Sequence, residues 1–400
     1  MAALVKPALV APHLPYGRQT IDESDIEAVV EALRAPMLTC GPLVAKFEKA
    51  LADYVGAPYA TACSSGTAAL HLIYAALNIG PGDEIITTPL TFSATAHAAY
   101  YVGATVRIAD VDPRTGNMTP ASVEALVTEK TRAIVAVHLG GLPVDLAEIQ
   151  AIAKKHGVFM IEDACHALGA TYRGVKTGGS PDSDAVIFSF HPVKHITTGE
   201  GGAIVARSPQ LKARLEKLRQ HGIERDAANF ENDAEGPWAY EVQELGFNYR
   251  LPDINCALGI SQLAKIDDLV EARRELAAEY RRQLPMVFSE DAVKAPAELA
   301  DRESAYHLFA IAVDWQRFGT TRAQVVKQLA SAGIGTQVHY IPLLKHPLHA
   351  ARCADETARA RPGVDHYFPQ TLSLPLFPTM TAADVTRVVD ELHRALGEIK

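Results

Sequence analysis

The sequence contains few cysteines, and their arrangement excludes two ways of stabilising a fold. There are five, an odd number, and none belongs to a Cys-x-x-Cys pair. We therefore expect neither a disulfide framework nor a structural zinc site, and we predict no metal site of another kind. The cysteines are better explained as small, buried apolar side chains in a reducing compartment.

Long apolar runs and blocks of one charge are also missing. No stretch of about 18 apolar residues is present, which argues against a transmembrane helix. Pro7 and Pro12 interrupt the apolar residues 8–11, so we expect no secretory signal and a cytoplasmic location. The formal net charge is −9 without a run of lysine or arginine, which argues against nucleic acid or a membrane surface as a partner.

What the sequence does contain is ordinary globular composition in a regular alternation. Its 400 residues, 48% of them hydrophobic and 21% charged, are enough for a large core and two domains. Short apolar strands alternate with segments of helical periodicity, which predicts an α/β fold with a mostly parallel sheet and helices on both faces. The predicted strands are residues 60–63, 84–88, 106–111, 133–138, 158–161 and 185–188, and the predicted helices are residues 21–33, 44–54, 68–77, 93–101, 119–127 and 146–156.

The second part of the sequence follows a different pattern. Residues 257–284 indicate one or two long helices. Beyond them we predict strands at 305–313 and 336–340 and helices at 321–332 and 382–399. We therefore predict a large cofactor-binding domain over residues 1–260, and connecting helices with a smaller α+β domain over residues 261–400.

A lysine and an aspartate lie just past two of the predicted strands. Lys194 follows the strand at 185–188, and Asp163 follows the strand at 158–161. Ligands of open α/β sheets bind at such strand ends. Pyridoxal phosphate (PLP) needs a lysine that carries it as a Schiff base and a carboxylate that keeps its ring nitrogen protonated. The pair therefore predicts a PLP enzyme.

Other strand ends carry residues that suit the same cofactor. A Ser-Ser-Gly-Thr turn before a helical segment places the backbone N–H groups of Gly66, Thr67 and Ala68 where they could bind a phosphate, although the turn alone is typical of a helix cap. Phe92 could stack on a flat ring, although a single phenylalanine is more often a core residue. Ser189 adds a hydroxyl. Together with Lys194 and Asp163, the series favours a cofactor site over separate structural roles.

Short motifs are spread over nearly the whole chain, from Tyr16 to Pro378. They are Leu-Thr-Cys-Gly-Pro at 38–42, Ser-Ser-Gly-Thr-Ala at 64–68, Glu-Asp-Ala-Cys-His at 162–166, Ser-Phe-His-Pro-Val-Lys at 189–194, Gly-Glu-Gly-Gly at 199–202, Gly-Phe-Asn-Tyr-Arg at 246–250 and Val-His-Tyr at 338–340. In these motifs the chain resembles the DegT-type nucleotide-sugar aminotransferases, which have the architecture of fold type I PLP-dependent transferases. The resemblance implies this fold, with a large domain and a smaller C-terminal domain.

The resemblance also implies a role for each matching cofactor residue. Lys194 would carry the cofactor and the transferred proton, and Asp163 would hold the pyridinium nitrogen. Phe92 would stack on the ring, and His166 would lie near its phenolic oxygen, where many relatives have glutamine. Ser189 and the turn at 66–68 would hold the phosphate.

Other matching positions concern the neighbouring subunit and the substrate. Asn248 would reach the phosphate of the neighbouring subunit, which implies a homodimer with shared sites. Tyr16, Thr39, His339 and Tyr340 would contact the substrate. In isolation, Asn248 is also typical of a turn and His339 of a hydrogen-bonded core histidine.

The expected reaction is transamination. Dehydratases of the family have histidine in place of the cofactor lysine, whereas this chain retains Lys194. The resemblance implies transfer from L-glutamate to the C4 keto carbon of a nucleotide-linked 4-keto-6-deoxy sugar. It is strongest to members of the pseudaminic acid pathway, which implies a UDP-linked, N-acetylated sugar, while GDP-perosamine and UDP-4-amino-arabinose synthesis are alternatives.

Two other functional classes remain as alternatives. A PLP-binding regulator would add a DNA-binding module, but the sequence contains neither a helix-turn-helix extension nor a basic patch. A dehydrogenase would need a glycine fingerprint for its dinucleotide, and this fingerprint is missing.

Overall fold

A seven-stranded sheet forms the centre of the computed structural model, which we describe for residues 13–233, 236–353, 356 and 358–398. Its strands are β1 (Tyr59–Cys63), β2 (Glu84–Thr87), β3 (Thr105–Ile108), β4 (Thr131–Val137), β5 (Phe159–Asp163), β6 (Ala185–Ser189) and β7 (Gly202–Ala206). Their order is β1-β7-β6-β5-β4-β2-β3. Strand β7 is antiparallel to β1 and β6, and the other adjacent pairs are parallel. The carboxyl ends of β1, β2, β4, β5 and β6 therefore meet at one edge.

Both faces of this sheet are buried. In β4, the side chains of Ala133 and Val135 pack in one core with α-helical residues, while Ile134 and Ala136 pack in a second core on the opposite face. Strands that are covered on both faces are apolar along their whole length, which explains why they stand out in the sequence. The mostly parallel α/β architecture that we predicted is confirmed.

Helices cover both faces of the sheet and continue into the C-terminal region. They are α1 (Glu23–Arg34), α2 (Pro42–Val55), α3 (Gly66–Ala76), α4 (Ala94–Tyr101), α5 (Pro120–Glu124), α6 (Leu146–His156), α7 (Pro209–Arg219), α8 (Asp253–Leu263), α9 (Ile266–Val287), α10 (Arg322–Ser331), α11 (Pro347–Arg352), α12 (Pro362–Gln370) and α13 (Ala382–Leu396). Among the described residues, no helix is long and apolar enough to cross a membrane.

The C-terminal region has a second sheet with its own core. Strands β8 (Val293–Lys294), β9 (Phe309–Val313) and β10 (Thr371–Leu374) pair in the order β8-β9-β10, all antiparallel. Short additional strands are Thr171–Tyr172, Val175–Lys176, Ile223–Glu224, Glu241–Val242 and Arg302–Glu303, and single 3-10 turns are Leu139–Gly141, Ala227–Asn229 and Leu343–Lys345.

Helix α9 connects the two cores. Val270 in its first half packs with the helices on the large sheet, whereas Tyr280 and Leu284 in its second half pack in the C-terminal core. Leu14 also joins the C-terminal core and pairs with Ile334. The predicted boundary between residues 260 and 261 falls inside α8, and the division into two domains stays a prediction.

Several predicted elements differ from the structure. Strand β7 was not predicted, because it begins with Gly202 directly after Gly201, and glycine gives a weak strand signal. The prediction of a strand at 336–340 was wrong, since only Gln337 there forms an isolated bridge, to Ser373. The strand predicted from residue 305 begins at Phe309. The apolar residues 8–11 and the predicted helix end at residue 399 lie outside the described residues.

The segment before β9 leaves the extended conformation for a physical reason. The N–H groups of Ala305 and Leu308 donate to the carbonyls of Gly141 and Gly140 at 3.1 and 3.2 Å, and Tyr306 has a φ of 46°. Gly141 has a φ of +99°, and a Cβ there would lie 2.9 Å from the Tyr306 nitrogen. Glycine therefore permits this close approach of two backbones.

Candidate active site

Asp163 is the last residue of β5, and its carboxylate is held at the sheet edge. Oδ2 accepts a hydrogen bond of 2.8 Å from the hydroxyl of Thr95 on α4, and Oδ1 accepts one of 3.3 Å from the Cys165 N–H. The Thr91 hydroxyl lies 2.8 Å from that of Thr95 and supports it. The side chain of Asp163 is buried. This carboxylate is therefore fixed in orientation, and sequence reasoning missed the two threonines that fix it.

The turn after β1 lies against the end of β6. Ser65 caps α3 by accepting a hydrogen bond of 3.0 Å from the Ala68 N–H. A Cβ on Gly66 would come within 3.1 Å of the Ser189 Cβ and 3.2 Å of the Cys165 sulfur. Among the described residues, the N–H groups of Gly66 and Thr67 have no acceptor, whereas that of Ala68 is used by the cap. The turn thus presents two unpaired donors at a helix N-terminus beside a hydroxyl.

Lys194 lies in a turn that follows β6. Its backbone N–H donates to the carbonyl of His191 at 2.9 Å, and its Nζ lies 3.4 Å from Nε2 of His307. Burial lowers the pKa of the amine to about 8, although the nearby Cys165 and Asp163 act in the opposite direction. At a pH near this pKa, a substantial fraction of the Lys194 amine is neutral and can act as a nucleophile or a base.

His166 and Tyr340 form a polar pair beside Lys194. The Gly140 N–H donates to His166 Nδ1 at 3.3 Å, so the neutral ring carries its hydrogen on Nε2, which lies 3.0 Å from the Tyr340 hydroxyl. Burial, followed by the charge of Lys194, places the pKa of His166 well below its ordinary value. Burial also raises the pKa of Tyr340, which keeps its own hydrogen available to donate. The Nε2–H of His166 is bound to Tyr340. If His166 also contacted the phenolic oxygen of the cofactor, the same N–H would have to serve both acceptors.

The aromatic rings of Phe92, Tyr340, His339 and Tyr16 pack one against the next beside Lys194. Phe92 is exposed, with its ring centre 6.3 Å from that of Tyr340. The His339 ring lies 5.5 Å from Tyr16, and its Nδ1 is 2.9 Å from the Ser373 hydroxyl. Burial lowers the pKa of His339 to about 3. His339 is thus a buried, hydrogen-bonded histidine at the border of the site.

Thr39 and Asn248 lie in a different part of the molecule. Thr39 is exposed, and its segment is anchored to α8 by Asp253, which accepts from the Gly41 N–H at 2.8 Å. The Asn248 side chain forms no hydrogen bond within the described residues, and its backbone forms a bridge with Gln220. The structure therefore does not bring these two side chains into the group around Lys194.

Two histidines near Lys194 were not assigned a role from the sequence. His195 Nε2 donates to the Ala305 carbonyl at 3.0 Å, which is a structural contact. His307 was hidden in the strand predicted at 305–313, and its polar side chain within an apolar run is the signal that could have identified it. Its ring centre lies 4.3 Å from that of His166.

Glu162 points away from this group. Its Oε2 lies 2.8 Å from Nε2 of His138, with both side chains fully buried on the other face of the sheet. Neighbouring residues of a strand face opposite sides, which separates Glu162 from Asp163.

The group around Lys194 fits PLP. It combines an amine of lowered pKa, an ordered carboxylate, and a glycine turn that lies close to Ser189, where a Cβ would crowd the serine side chain. A phosphate at the turn would meet the two unpaired N–H groups and the positive end of the α3 dipole. Fold and site together define a fold type I PLP-dependent transferase.

Comparison with known proteins narrows this class. The chain belongs to the DegT/DnrJ/EryC1/StrS aminotransferase family, which matches residues 19–393. It is 39% identical over 384 residues to the spore coat polysaccharide biosynthesis protein SpsC of Bacillus subtilis, covering 95% of this chain and 96% of SpsC. It is 37% identical over 391 residues to the UDP-4-amino-4,6-dideoxy-N-acetyl-beta-L-altrosamine transaminase of Campylobacter jejuni, covering 97% and 98%.

Solved structures agree with this family. Helicobacter pylori PseC, an aminotransferase involved in the biosynthesis of pseudoaminic acid, matches with a TM-score of 0.87 and 31% identity, covering 96% of this chain and 99% of PseC. A Streptococcus pneumoniae protein solved in its PLP form matches with a TM-score of 0.86 and 28% identity, covering 96% of this chain and 98% of that one. The chain is therefore a PLP-dependent nucleotide-sugar aminotransferase, which confirms the predicted family, fold and enzyme class.

We expect the free energy of unfolding to fall as the pH is lowered from about 7 to about 5. Histidines of the unfolded chain take up protons near their ordinary pKa of about 6.5, whereas His166, His195 and His307 stay neutral in the folded protein because burial lowers their pKa. Their stabilising contribution is complete above the ordinary pKa and decreases as the pH falls, by up to about 1.4 kcal/mol per pH unit for each histidine. Urea unfolding at several pH values measures this slope.

His195→Gln provides the control, because glutamine can still donate a hydrogen bond to the Ala305 carbonyl. The variant should unfold with a shallower dependence on pH. Equal slopes for both proteins would mean that His195 is protonated in the folded state, which contradicts the prediction.

Proposed function

We propose that this enzyme transfers an amino group from L-glutamate to the C4 keto carbon of a nucleotide-linked 4-keto-6-deoxy sugar, most specifically a UDP-linked, N-acetylated sugar of the pseudaminic acid pathway. The whole-length similarity to the Campylobacter jejuni transaminase and to PseC supports this substrate class. The single observation that carries the chemistry is the partly buried Lys194 amine, with its lowered pKa, at the edge where Asp163 is held. We also propose a cytoplasmic location.

The residues around Lys194 account for the two half-reactions of a ping-pong mechanism. When bound, PLP would supply an electron-withdrawing ring that acidifies the carbon bearing the amino group. Asp163 would pair with the ring nitrogen, while Ser189 and the N–H groups of Gly66 and Thr67 would hold the phosphate. Lys194 Nζ would take the α-proton from the amino donor in the first half-reaction and deliver a proton to the sugar C4 in the second.

The residues near the substrate are suited to exclude water and to orient polar groups. Tyr340 receives the hydrogen bond of His166 and keeps its own hydrogen for the substrate. We propose that Tyr16 and His339 form the adjoining wall of the sugar pocket, because the His339 ring packs on Tyr340 and the Tyr16 ring packs on His339. Phe92, being exposed beside Tyr340, would cover one face of the cofactor ring.

We further propose a homodimer in which Thr39 and Asn248 serve the neighbouring subunit's site. The segments that contain them lie together, because Cys40, Gly41 and Arg250 line one cavity of about 230 Å³. Residues 238–245 lie beside helix α7, since Gln243 accepts a hydrogen bond of 3.0 Å from Lys217, and they expose a series of large apolar side chains. These are Trp238, Tyr240, Val242 and Leu245. Such a surface is typical of an interaction site.

Lys194→Ala should abolish transamination and the yellow colour of the purified protein, because no other amine would carry the cofactor. After reduction with borohydride, mass spectrometry of the wild type should find the cofactor mass on the Lys194 peptide. Lys130→Ala, which removes an exposed lysine, is the control and should keep colour and activity. A cofactor mass on a different lysine would contradict the assignment.

A panel of UDP-, GDP- and dTDP-linked 4-keto sugars with glutamate tests the substrate. We expect the UDP-linked, N-acetylated 4-keto-6-deoxy sugar to give the 4-amino product, read by its mass, with the highest kcat/KM. Preference for a GDP-linked sugar would overturn the proposed substrate but not the transamination. If no sugar of the panel were converted, the proposal that the substrate is a nucleotide-linked 4-keto sugar would be wrong.

Leu245→Asp should weaken the proposed homodimer, because a charge would enter its apolar surface at a highly exposed position. Light scattering should give about twice the 43.1 kDa chain mass for the wild type and a lower mass for the variant. Val175→Asp, at an exposed apolar residue in a different part of the chain, should stay dimeric. A monomeric mass for the wild type would contradict the proposed homodimer.

A further inference from the structure

The rings of His166, His195 and His307 pack against one another beside Lys194, and one of them turns a ring nitrogen toward the amine. We propose that His307 is a positioning residue whose Nε2 holds the Lys194 amine in place for proton transfer. The distance between Nε2 and Nζ is 3.4 Å. This inference rests on the proposed role of Lys194 as the proton carrier.

The other two histidines are committed to different partners. His166 uses Nδ1 to accept from the Gly140 N–H and Nε2 to contact Tyr340. His195 uses Nε2 to donate to the Ala305 carbonyl. The Nδ1 of His307 is buried without a hydrogen bond in the described part of the chain, so the contact to Lys194 is the one hydrogen bond of this ring. Burying an unpaired nitrogen is unfavourable. A histidine at this position is explained if its other nitrogen, Nε2, has a function at Lys194.

The backbone holds the His307 ring in this place. Ala305 and Leu308 on either side are hydrogen bonded to Gly141 and Gly140. The same glycine pair contacts His166, because the Gly140 N–H donates to it. The rings of His166 and His307 are packed 4.3 Å apart. The ring of His307 therefore has little room to rotate away from Lys194.

The charge state of His307 suits a hydrogen-bonding partner of an amine. Burial, followed by the charge of Lys194, places the pKa of His307 well below its ordinary value, so the ring is neutral. A neutral ring can accept from an ammonium group at Nε2 with its hydrogen on Nδ1, and it can donate from Nε2 to a neutral amine. It thus keeps one hydrogen bond to Nζ in both protonation states. The titratable and charged groups that face Lys194 are Asp163, Cys165, His166, His195, Arg273, His307 and His339.

Holding the amine matters because lysine has a long, flexible side chain. A proton carrier that moves between two carbon atoms must stay within close reach of both. Loss of the His307 contact would free the amine to sample other rotamers, which lowers the turnover rate more than substrate affinity. It would also disfavour the ammonium form, because a neutral ring nitrogen accepts more strongly from an ammonium than from an amine.

Three substitutions test the proposal. His307→Gln places an amide near the position of Nε2, His307→Asn places it near the unpaired Nδ1, and His307→Phe keeps a ring without nitrogen. The first readout is the labelling of Lys194 by an acylating reagent in the apoprotein across pH, followed by mass spectrometry of its peptide. We expect the labelling midpoint to fall by about one pH unit in the Phe and Asn variants and to stay near the wild type in the Gln variant.

The second readout is steady-state kinetics of the holoenzyme. We expect kcat to fall about tenfold or more in the Phe and Asn variants, with KM for both substrates within about twofold of the wild type and with kcat largely restored by Gln. If the Phe variant does not fold, the Asn variant supplies the same comparison. Equal labelling midpoints in all four proteins would overturn the proposal, and so would equal losses of kcat in all three variants.

The labelling experiment also separates this inference from the function on which it rests. It uses the apoprotein, so neither the cofactor nor the sugar enters the measurement. If Lys194→Ala retained transamination, the proposed role of Lys194 would fail. A shifted midpoint in the Phe variant would still show that His307 contacts the amine, but no longer that the contact serves proton transfer.

Discussion

The site depends on the burial of both faces of the central sheet. Because helices cover both faces, the strand interiors are apolar, and polar groups that serve a ligand are confined to strand ends. The strand order brings the ends of β1, β5 and β6 to one edge, where the Gly66 turn, Asp163 and Ser189 come together. Glu162 shows what happens when a carboxylate faces the interior of the fold. It needs a polar partner of its own, which is His138 at 2.8 Å.

The same burial determines the charges around Lys194. Removal from water disfavours a charged form, so it lowers the pKa of the amine and of the surrounding imidazoles alike. The amine reaches a pKa of about 8, while His166 and His307 remain neutral. Neutral imidazoles can surround a lysine without repelling its ammonium form. A basic amine and several hydrogen-bonding rings therefore occupy one buried volume without competing for the same proton.

The sequence predicted the parts of this arrangement that depend on local pattern. Strands covered on both faces form apolar runs, and Asp163, Ser189 and Lys194 lie at or just past the ends of such runs. The contacts of Thr95 and His307 could not be predicted in this way, although His307 is noticeable as a polar residue within an apolar run. Thr95 reaches Asp163 only through the packing of α4 on the sheet, and His307 reaches Lys194 only because the chain bends at Tyr306.

The erroneous strand predictions have a related cause. Residues 305–308 and 336–340 have the β-branched, aromatic and apolar residues typical of strands, but strand propensity is decided by packing partners. Residues 305–308 bind the backbone of Gly140 and Gly141 instead of a sheet neighbour. Functional segments are places where local preference and tertiary structure disagree, because they must expose polar groups that a regular ladder would turn elsewhere.

The cofactor residues and the proposed substrate residues are held by different kinds of structure. Asp163, Ser189 and Gly66 belong to strands or to a helix start, whereas Tyr16 and Thr39 lie in irregular segments. Regular elements fix positions closely, while loops tolerate substitution. A common amino-transfer chemistry can therefore be kept while the sugar pocket changes through a few contacts. The substrate is then decided by a few contacts in such segments rather than by the sheet and its cofactor edge.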